Sequence, residues 1–599
     1  MNARDNMHRT GSCTEGGFAK ASARFGVVTA QGGWRKVTWG VVAGVAAVAT
    51  AGSLMVPSAA IAAEWVDVGG NQYNAGTAAG DDAGTWSWDG ADDMKLNGYD
   101  GGAIKAKGKL NIAYEGKNTV KTELDYTGAA IKAQDGTSQK AELNITSSNS
   151  TDELNVTAEA DAIKSTGDLS ISGPGTVNTT STASDGIEAK GNLSITGSGT
   201  VNATGGTEGI QSKGKTTIDS SGTVIAKGGE GYGIAAGSDL IIKGGGKVEA
   251  SSIGEAAIWA KDGNIDISGG SQVKANSEGD LAVDTEGSLA VTNASLDASG
   301  VEYGVYAYKG VTLDHATVTV RTSASGGQAI ALITDGDDIV IKNGSIVDAF
   351  AEGKFSVAIS TRNHQPNVAG GHIYISDSVV KAIARYVENG DGPIPYSENQ
   401  DGETRREPQG ENIGIIAQTS EGVTPAVISI IRSKVTAEGD TAAIFARAMS
   451  ADGKTIGTIK IGNAAIQTPE GGKVIDYRKL RDGIYETGQA IGTGDATVDS
   501  LYIKAVAKST TIAPPEVAKP EDPKPDETKP AESKPAESKQ NPKPEGSKPT
   551  KAVAASTTKA KTTGKLAATG DASSAAIVAA ALAGTAAIAA GAVVSRKRS

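Results

Sequence analysis

DGIEAKGNLSITGSGTVNATGGT, residues 185–207, is the stretch whose reading decides the fold. Ile187 and Ala189 alternate with polar residues, Leu193 and Ile195 do the same after Gly191, and Val201 and Ala203 follow Gly197 and Gly199. Each run is a short period-2 strand bounded by glycine or asparagine, so one copy carries three strands and three corners. The neighbouring copies, 161–184 and 208–232, repeat the arrangement.

The aliphatic residue of the first run serves as a ruler along the chain: Ile104, Ile131, Ile163, Ile187, Ile210, Ile234, Ile258, Val283, Val305, Ile330, Ile359, Ile415 and Ile444. A period of about 24 residues with three strands fits one coil of a right-handed parallel β-helix, whereas hexapeptide helices close in about 18 and propeller blades need four strands in about 40. The expectation is an all-β solenoid in which Ile, Leu, Val and Ala fill a narrow interior one layer per turn. At about 4.8 Å per coil, thirteen coils would extend roughly 60 Å. The interval between Ile359 and Ile415 is about twice the usual one, which predicts an insertion near 385–412.

Such a solenoid has raw ends whose exposed strand edges invite pairing with other chains. Residues 64–101 carry Trp65, Tyr73, Trp86, Trp88 and Tyr99, an aromatic cluster suited to capping the open core before a β-helix domain spanning 102–510. Past Ile444 the pattern loosens, and 474–502 reads as closing turns.

Composition agrees with a repeat architecture: of 599 residues 79 are Gly and only 4% are aromatic, thin material for a conventional layered core. A net charge of -12 leaves no basic footprint for nucleic acid. The single cysteine, Cys13, falls in a segment that reads as removed, so disulfides and Cys-bound metals are excluded from the mature chain.

Both termini read as addresses. Residues 1–63 combine a long basic region with an apolar run over 37–56 and small residues, Ala60, Ala62 and Ala63, at the spacing a signal peptidase needs. At the other end Leu566-Ala567-Ala568-Thr569-Gly570 precedes an apolar stretch over 575–594 and a basic tail, Arg596-Lys597-Arg598. Twenty apolar residues in a helix rise about 30 Å, enough to cross the hydrocarbon core, and the cations hold the tail on the cytoplasmic side. Between them, 511–565 is a linker whose ten prolines between Pro514 and Pro549 alternate with Lys and Glu. With hardly any large apolar residues to offset ordering entropy, it reads as a disordered, extended stalk.

The order of motif, apolar stretch and basic tail over 566–599 resembles a sortase sorting signal of Gram-positive surface proteins, in the Ala form used in many actinobacteria. That resemblance implies cleavage between Thr569 and Gly570, covalent transfer to peptidoglycan, and a sortase as partner. The run from Trp86 to Tyr99, followed by Gly102-Ala-Ile104-Lys-Ala-Lys-Gly-Lys-Leu110-Asn-Ile112 and by Asp185-Gly-Ile-Glu-Ala-Lys-Gly191, resembles a bacterial carbohydrate-binding β-helix family over roughly 84–350. It implies binding of a polysaccharide, with Ca²⁺ as an accompaniment in the family; the residues themselves name no metal ligand.

Candidate glycan contacts are exposed aromatics that could stack on pyranose faces: Tyr303, Tyr306 and Tyr308 in one coil, Tyr386 and Tyr396 in the long interval. Acids cluster at Asp335, Asp337 and Asp338 and again in the insertion, and both clusters read as solvated loop charge rather than a catalytic pair. His315, His364 and His372 share no metal-ligand spacing and read as surface or turn residues. The expected function is therefore a non-enzymatic, cell-wall-anchored, adhesin-like surface protein that binds carbohydrate. A polysaccharide lyase or glycoside hydrolase on the same fold and a structural or host-protein-binding element are the alternatives.

Overall fold

The computed structural model describes residues 63–515 except 124–125, 137–139, 364–370, 388–396, 399–403, 406–410, 421–423, 451–452, 482–483 and 495–504. The signal segment with Ala60 and Ala62, the stalk beyond 515, the sorting motif and Tyr396 lie outside the described residues. Every regular element described is a β-strand.

Each coil contributes one strand to each of three parallel stacks. In one coil these are β1 (Ile163–Ser165), β2 (Asp168–Ser172) and β3 (Thr176–Ser181). Ile163 pairs with Ile187, Leu169 with Leu193 and Val177 with Val201, so the next coil repeats every contact in register. Period-2 alternation turns these side chains inward, where Ile163 and Ile187 are fully buried. One-layer stacking of this kind buries a coil's apolar residues only against its neighbours.

The corner between the second and third stacks explains much of the glycine. Gly173, Gly197, Gly244 and Gly269 occupy equivalent positions with φ of 105, 100, 97 and 67°, Ser220 filling the coil between the second and third. Farther along, the same corner passes to Asn293, His315, Asn343, Asp377, Arg432 and Asn463, all with φ between 48 and 56°. Only glycine adopts this left-handed geometry without steric cost, and Asn and Asp tolerate it better than most. His315 is thus a turn residue, as its sequence position suggested.

Two features differ from the sequence expectation. Val305 pairs with Leu332, and Leu332 with Ile359, so the ruler passes through Leu332 and not Ile330. Both residues are buried and two apart, and pattern alone cannot separate registers that differ by one full alternation. The second difference is β4 (Thr317–Thr334) and β5 (Ile346–Asn363), each 18 residues long. They run from the third stack into the first through an irregularity between Ala324 and Gln328, without the open corner that earlier coils have there.

Antiparallel strands close both ends. Trp65–Val68 pairs antiparallel with the first-stack strand Ile104–Lys107 and with Asn71–Asn74. Trp86–Trp88 pairs antiparallel with Asp93–Asn97, which itself begins the parallel ladder against Leu110–Glu115, so stacking starts inside the 64–101 segment. Trp88, Met94, Leu96 and Tyr99 are buried there, and Tyr73 packs on Trp86 with ring centroids 5.3 Å apart. At the other end Ile484–Gly492 folds back on Lys473–Arg481 and pairs with Ala442–Ser450, while Ser509–Ala513 covers Lys434–Gly439. This last strand extends past 510 because Ile512 is fully buried opposite Val435. The first residues of the expected 511–565 linker therefore belong to the sheet. In the insertion, Ser397–Glu398 and Thr404–Arg405 form a short antiparallel pair.

Candidate functional site

Because ruler residues point inward, the residue after each points outward, and pairing stacks these outward residues in one column of the first stack: Lys164, Glu188, Gln211, Ala235, Trp259, Asp284, Tyr306, Ile333. Beside it runs the column two residues before the ruler: Asp161, Asp185, Glu208, Tyr232, Ala256, Leu281, Tyr303, Ile330. These outward side chains are recessed rather than projecting. Leu281, Tyr303, Ile330, Ile333, Val357, Ile416 and Phe445 form a second apolar cluster separate from the coil interior, with Tyr232, Trp259 and Tyr306 packed against it.

Along the axis the two columns change character. Lys105 and Lys132 precede Lys164 in the first column, and the coils of Ile163, Ile187 and Ile210 that follow carry the acids. Asp161 Oδ2 accepts from Lys164 Nζ at 2.6 Å and its Oδ1 from the Ser184 hydroxyl at 2.5 Å. Glu188 is bridged by both Lys164 and Lys190. Burial works to raise the Asp161 carboxyl, but the bonds from Lys164 and Ser184 outweigh it and hold it below the usual range. Asp185 has no lysine against it: it accepts from the Thr207 hydroxyl and from the Glu208 N–H at 3.2 Å. Burial, reinforced by a hydrogen bond with the Glu208 carboxyl, pushes it up to about 7. The Asp185 carboxyl is thus partly protonated near neutrality.

Carboxylate oxygens of Asp161, Asp185 and Glu188 lie within 4.8 Å of one another, as do those of Asp89, Asp92 and Asp93. In the first trio lysine ammonium groups pair with Asp161 and Glu188. In the second, Asp89 Oδ1 accepts the backbone N–H of Ala91 and Asp93, which fixes a turn.

The middle of the face is aromatic. Tyr232 and Trp259 stack with centroids 4.5 Å apart and planes 13° from parallel. One coil beyond Asp284, Tyr303 and Tyr306 meet edge to face at 5.6 Å. The Tyr306 hydroxyl donates to Asp335 Oδ2 at 3.0 Å, Asp335 Oδ1 lies 3.5 Å from Arg362 Nε, and Gln328 Nε2 donates to the Tyr303 hydroxyl at 3.0 Å. The half-buried Tyr306 ring can stack on a sugar face while its hydroxyl exchanges hydrogen bonds with sugar hydroxyls, with the buried Tyr303 supporting it from beneath.

Of the residues expected from sequence, Tyr303, Tyr306 and Tyr308 share this face in three different states. Tyr303 is buried as part of the second cluster, Tyr306 is half-buried, and Tyr308 is 40% exposed. Tyr386 ends a third-stack strand opposite Gly353, and its N–H donates to Asp440 Oδ2 at 2.9 Å, so it belongs to another part of the surface. The Asp335–Asp338 turn is tied into the fold: Asp338 Oδ1 accepts the His372 N–H at 2.9 Å, and His372 Nδ1 accepts the Val427 N–H at 3.1 Å. His364 lies outside the described residues. Tyr232 and Trp259 went unselected in the sequence, although the signal was present. Tyr232 sits two before Ile234 and Trp259 one after Ile258, the offsets of Tyr303 and Tyr306 from Val305.

No protein-family model, no curated protein and no solved structure matches the chain.

Proposed function

We propose that this chain is a secreted surface protein whose right-handed β-solenoid binds polysaccharide along the outer face of its first stack, held on the cell wall by a sortase-cleaved tail. The observation that carries the binding reading is the continuous outward line of stacked aromatic and hydrogen-bonding side chains, Gln211, Trp259 on Tyr232, Asp284, Tyr306 and Tyr308. Successive coils stand about 4.8 Å apart. That repeat is comparable to the rise of one pyranose in an extended chain, so a linear glycan laid along the axis would meet one coil per sugar.

The display reading rests on order in the sequence: signal segment before 64, solenoid, a Pro/Lys stalk, then Leu566–Gly570, the apolar stretch 575–594 and three terminal cations. The protein serves as substrate for sortase, and the binding reading asks for no catalysis. The test is a glycan array probed with the full chain, with and without Ca²⁺. Binding to one or more linear polysaccharides, lost on Trp259→Ala, supports the reading. An array without a hit overturns it.

A further inference from the structure

The charges that act on the Tyr232 ring of the Tyr232–Trp259 pair are acidic. Glu208 precedes Tyr232 in its own column, Asp284 follows Trp259 in the next, and Glu255 stands exposed at the corner of the coil that carries Trp259. Burial and the charges of Glu255, Asp284 and Glu208 hold the Tyr232 phenol well above its usual value, and none of these influences is cationic. From Glu188 to Tyr306 neither column contains a lysine or arginine. The nearest cations in the strand pattern, Lys213 and Lys261, are exposed one column farther along the first stack. An aromatic face framed by carboxylates matches a positively charged ligand: the ring quadrupole attracts a cation, and carboxylates accept its charge-assisted hydrogen bonds. The same surroundings repel a uronate or sulfated sugar.

We propose that the Tyr232–Trp259 pair with Glu208, Glu255 and Asp284 is a subsite for an ammonium-bearing sugar, so that the preferred ligand is a linear polysaccharide with free amino groups. This rests on the polysaccharide-binding reading and narrows it. The aromatic pair receives the apolar face of the pyranose while its ammonium is drawn toward the carboxylates. A stacked pair beside a ladder of further hydrogen-bonding residues suits a sugar polymer better than a basic peptide, which offers charge without a ring face to stack.

The test uses the immobilised full chain, titrated with oligomers of equal length made of glucosamine, N-acetylglucosamine or galacturonate, and with oligolysine. The glucosamine oligomer should bind about tenfold or more tighter than its acetylated counterpart, with galacturonate weakest, since acetylation removes the charge while keeping the ring. Trp259→Ala should abolish the binding while circular dichroism still shows the folded β protein, with a lowered melting temperature from the lost packing on the second apolar cluster. The double variant Glu208→Gln, Glu255→Gln should retain affinity for the acetylated oligomer and lose the preference. Equal or tighter binding of the acetylated or uronate oligomer overturns this inference and leaves the polysaccharide-binding reading standing, as does oligolysine binding as tightly as the amino sugar. If no saccharide binds at all, both fall together.

Discussion

His315 and Asp185 show how single residues bear on this fold. His315 takes φ 50° in a corner column that other coils fill mostly with Gly or Asn, with Asp377 and Arg432 among the rest, and its side chain is exposed. A β-branched residue there adds strain that no contact relieves, whereas Asn fits. His315→Val should cost about 1–2 kcal/mol and His315→Asn nearly nothing, measured as the shift in denaturant midpoint. At Asp185 the shift is upward, to about 7, from burial and the Glu208 hydrogen bond. A raised carboxyl contributes stability that is fully present below the unfolded pKa, near 4, and is lost as pH rises through about 7. The wild-type protein should therefore lose on the order of 2–4 kcal/mol relative to Asp185→Asn between pH 4 and pH 8, because the amide mimics the protonated acid throughout. Equal pH dependence in the two proteins would contradict the raised Asp185 carboxyl.

At the scale of the strand, the coil period and inward face were legible from Gly-bounded period-2 runs, because each coil repeats its neighbour in register. The Ile330/Leu332 register was not, since hydrogen bonding to the neighbouring coil decides between two apolar residues of one alternation. The unbroken passage of Thr317–Thr334 and Ile346–Asn363 from one stack to the next was also hidden, because Gly326 and Gly327 read equally well as a corner. The proposed binding face was half legible. Tyr303, Tyr306 and Tyr308 stood out as a cluster in sequence, while Tyr232 and Trp259, 27 positions apart, become neighbours only when the coils are laid over one another. The antiparallel end strands make a further claim. Trp65–Val68 covers the outer edge of Ile104–Lys107, with Val66 and Val68 buried, and Glu64 reaches Lys107 at 2.8 Å. Deleting residues 64–74 uncovers that edge, and the shortened protein should self-associate in a concentration-dependent way by analytical ultracentrifugation. A protein that stays monomeric would show that the aromatic layer of Trp86 and Trp88 closes this end unaided.

For the molecule as a whole, the proposed display rests on sequence order: cysteine-free solenoid residues, then a proline-rich segment, then Leu566–Gly570 with its apolar stretch and basic tail. Replacing Thr569 by Ala leaves the signal segment untouched but removes the residue at the scissile bond. The variant should be secreted yet remain in the membrane fraction, while wall-digesting enzymes release the unaltered protein with its terminal peptide ending at Thr569. Recovery of an intact Ser599 terminus from wild-type surface protein would make the tail an ordinary membrane anchor. The central claim, that an extended glycan lies along the outer face of the first stack, is tested most directly by binding isotherms for one linear oligosaccharide series of increasing length, against the wild-type chain and Trp259→Ala. If the glycan follows the coils, affinity rises with each added sugar over the first several units and then levels off, and the Trp259 variant loses binding at every length. Affinity that is flat with length, or indifferent to Trp259, would contradict it.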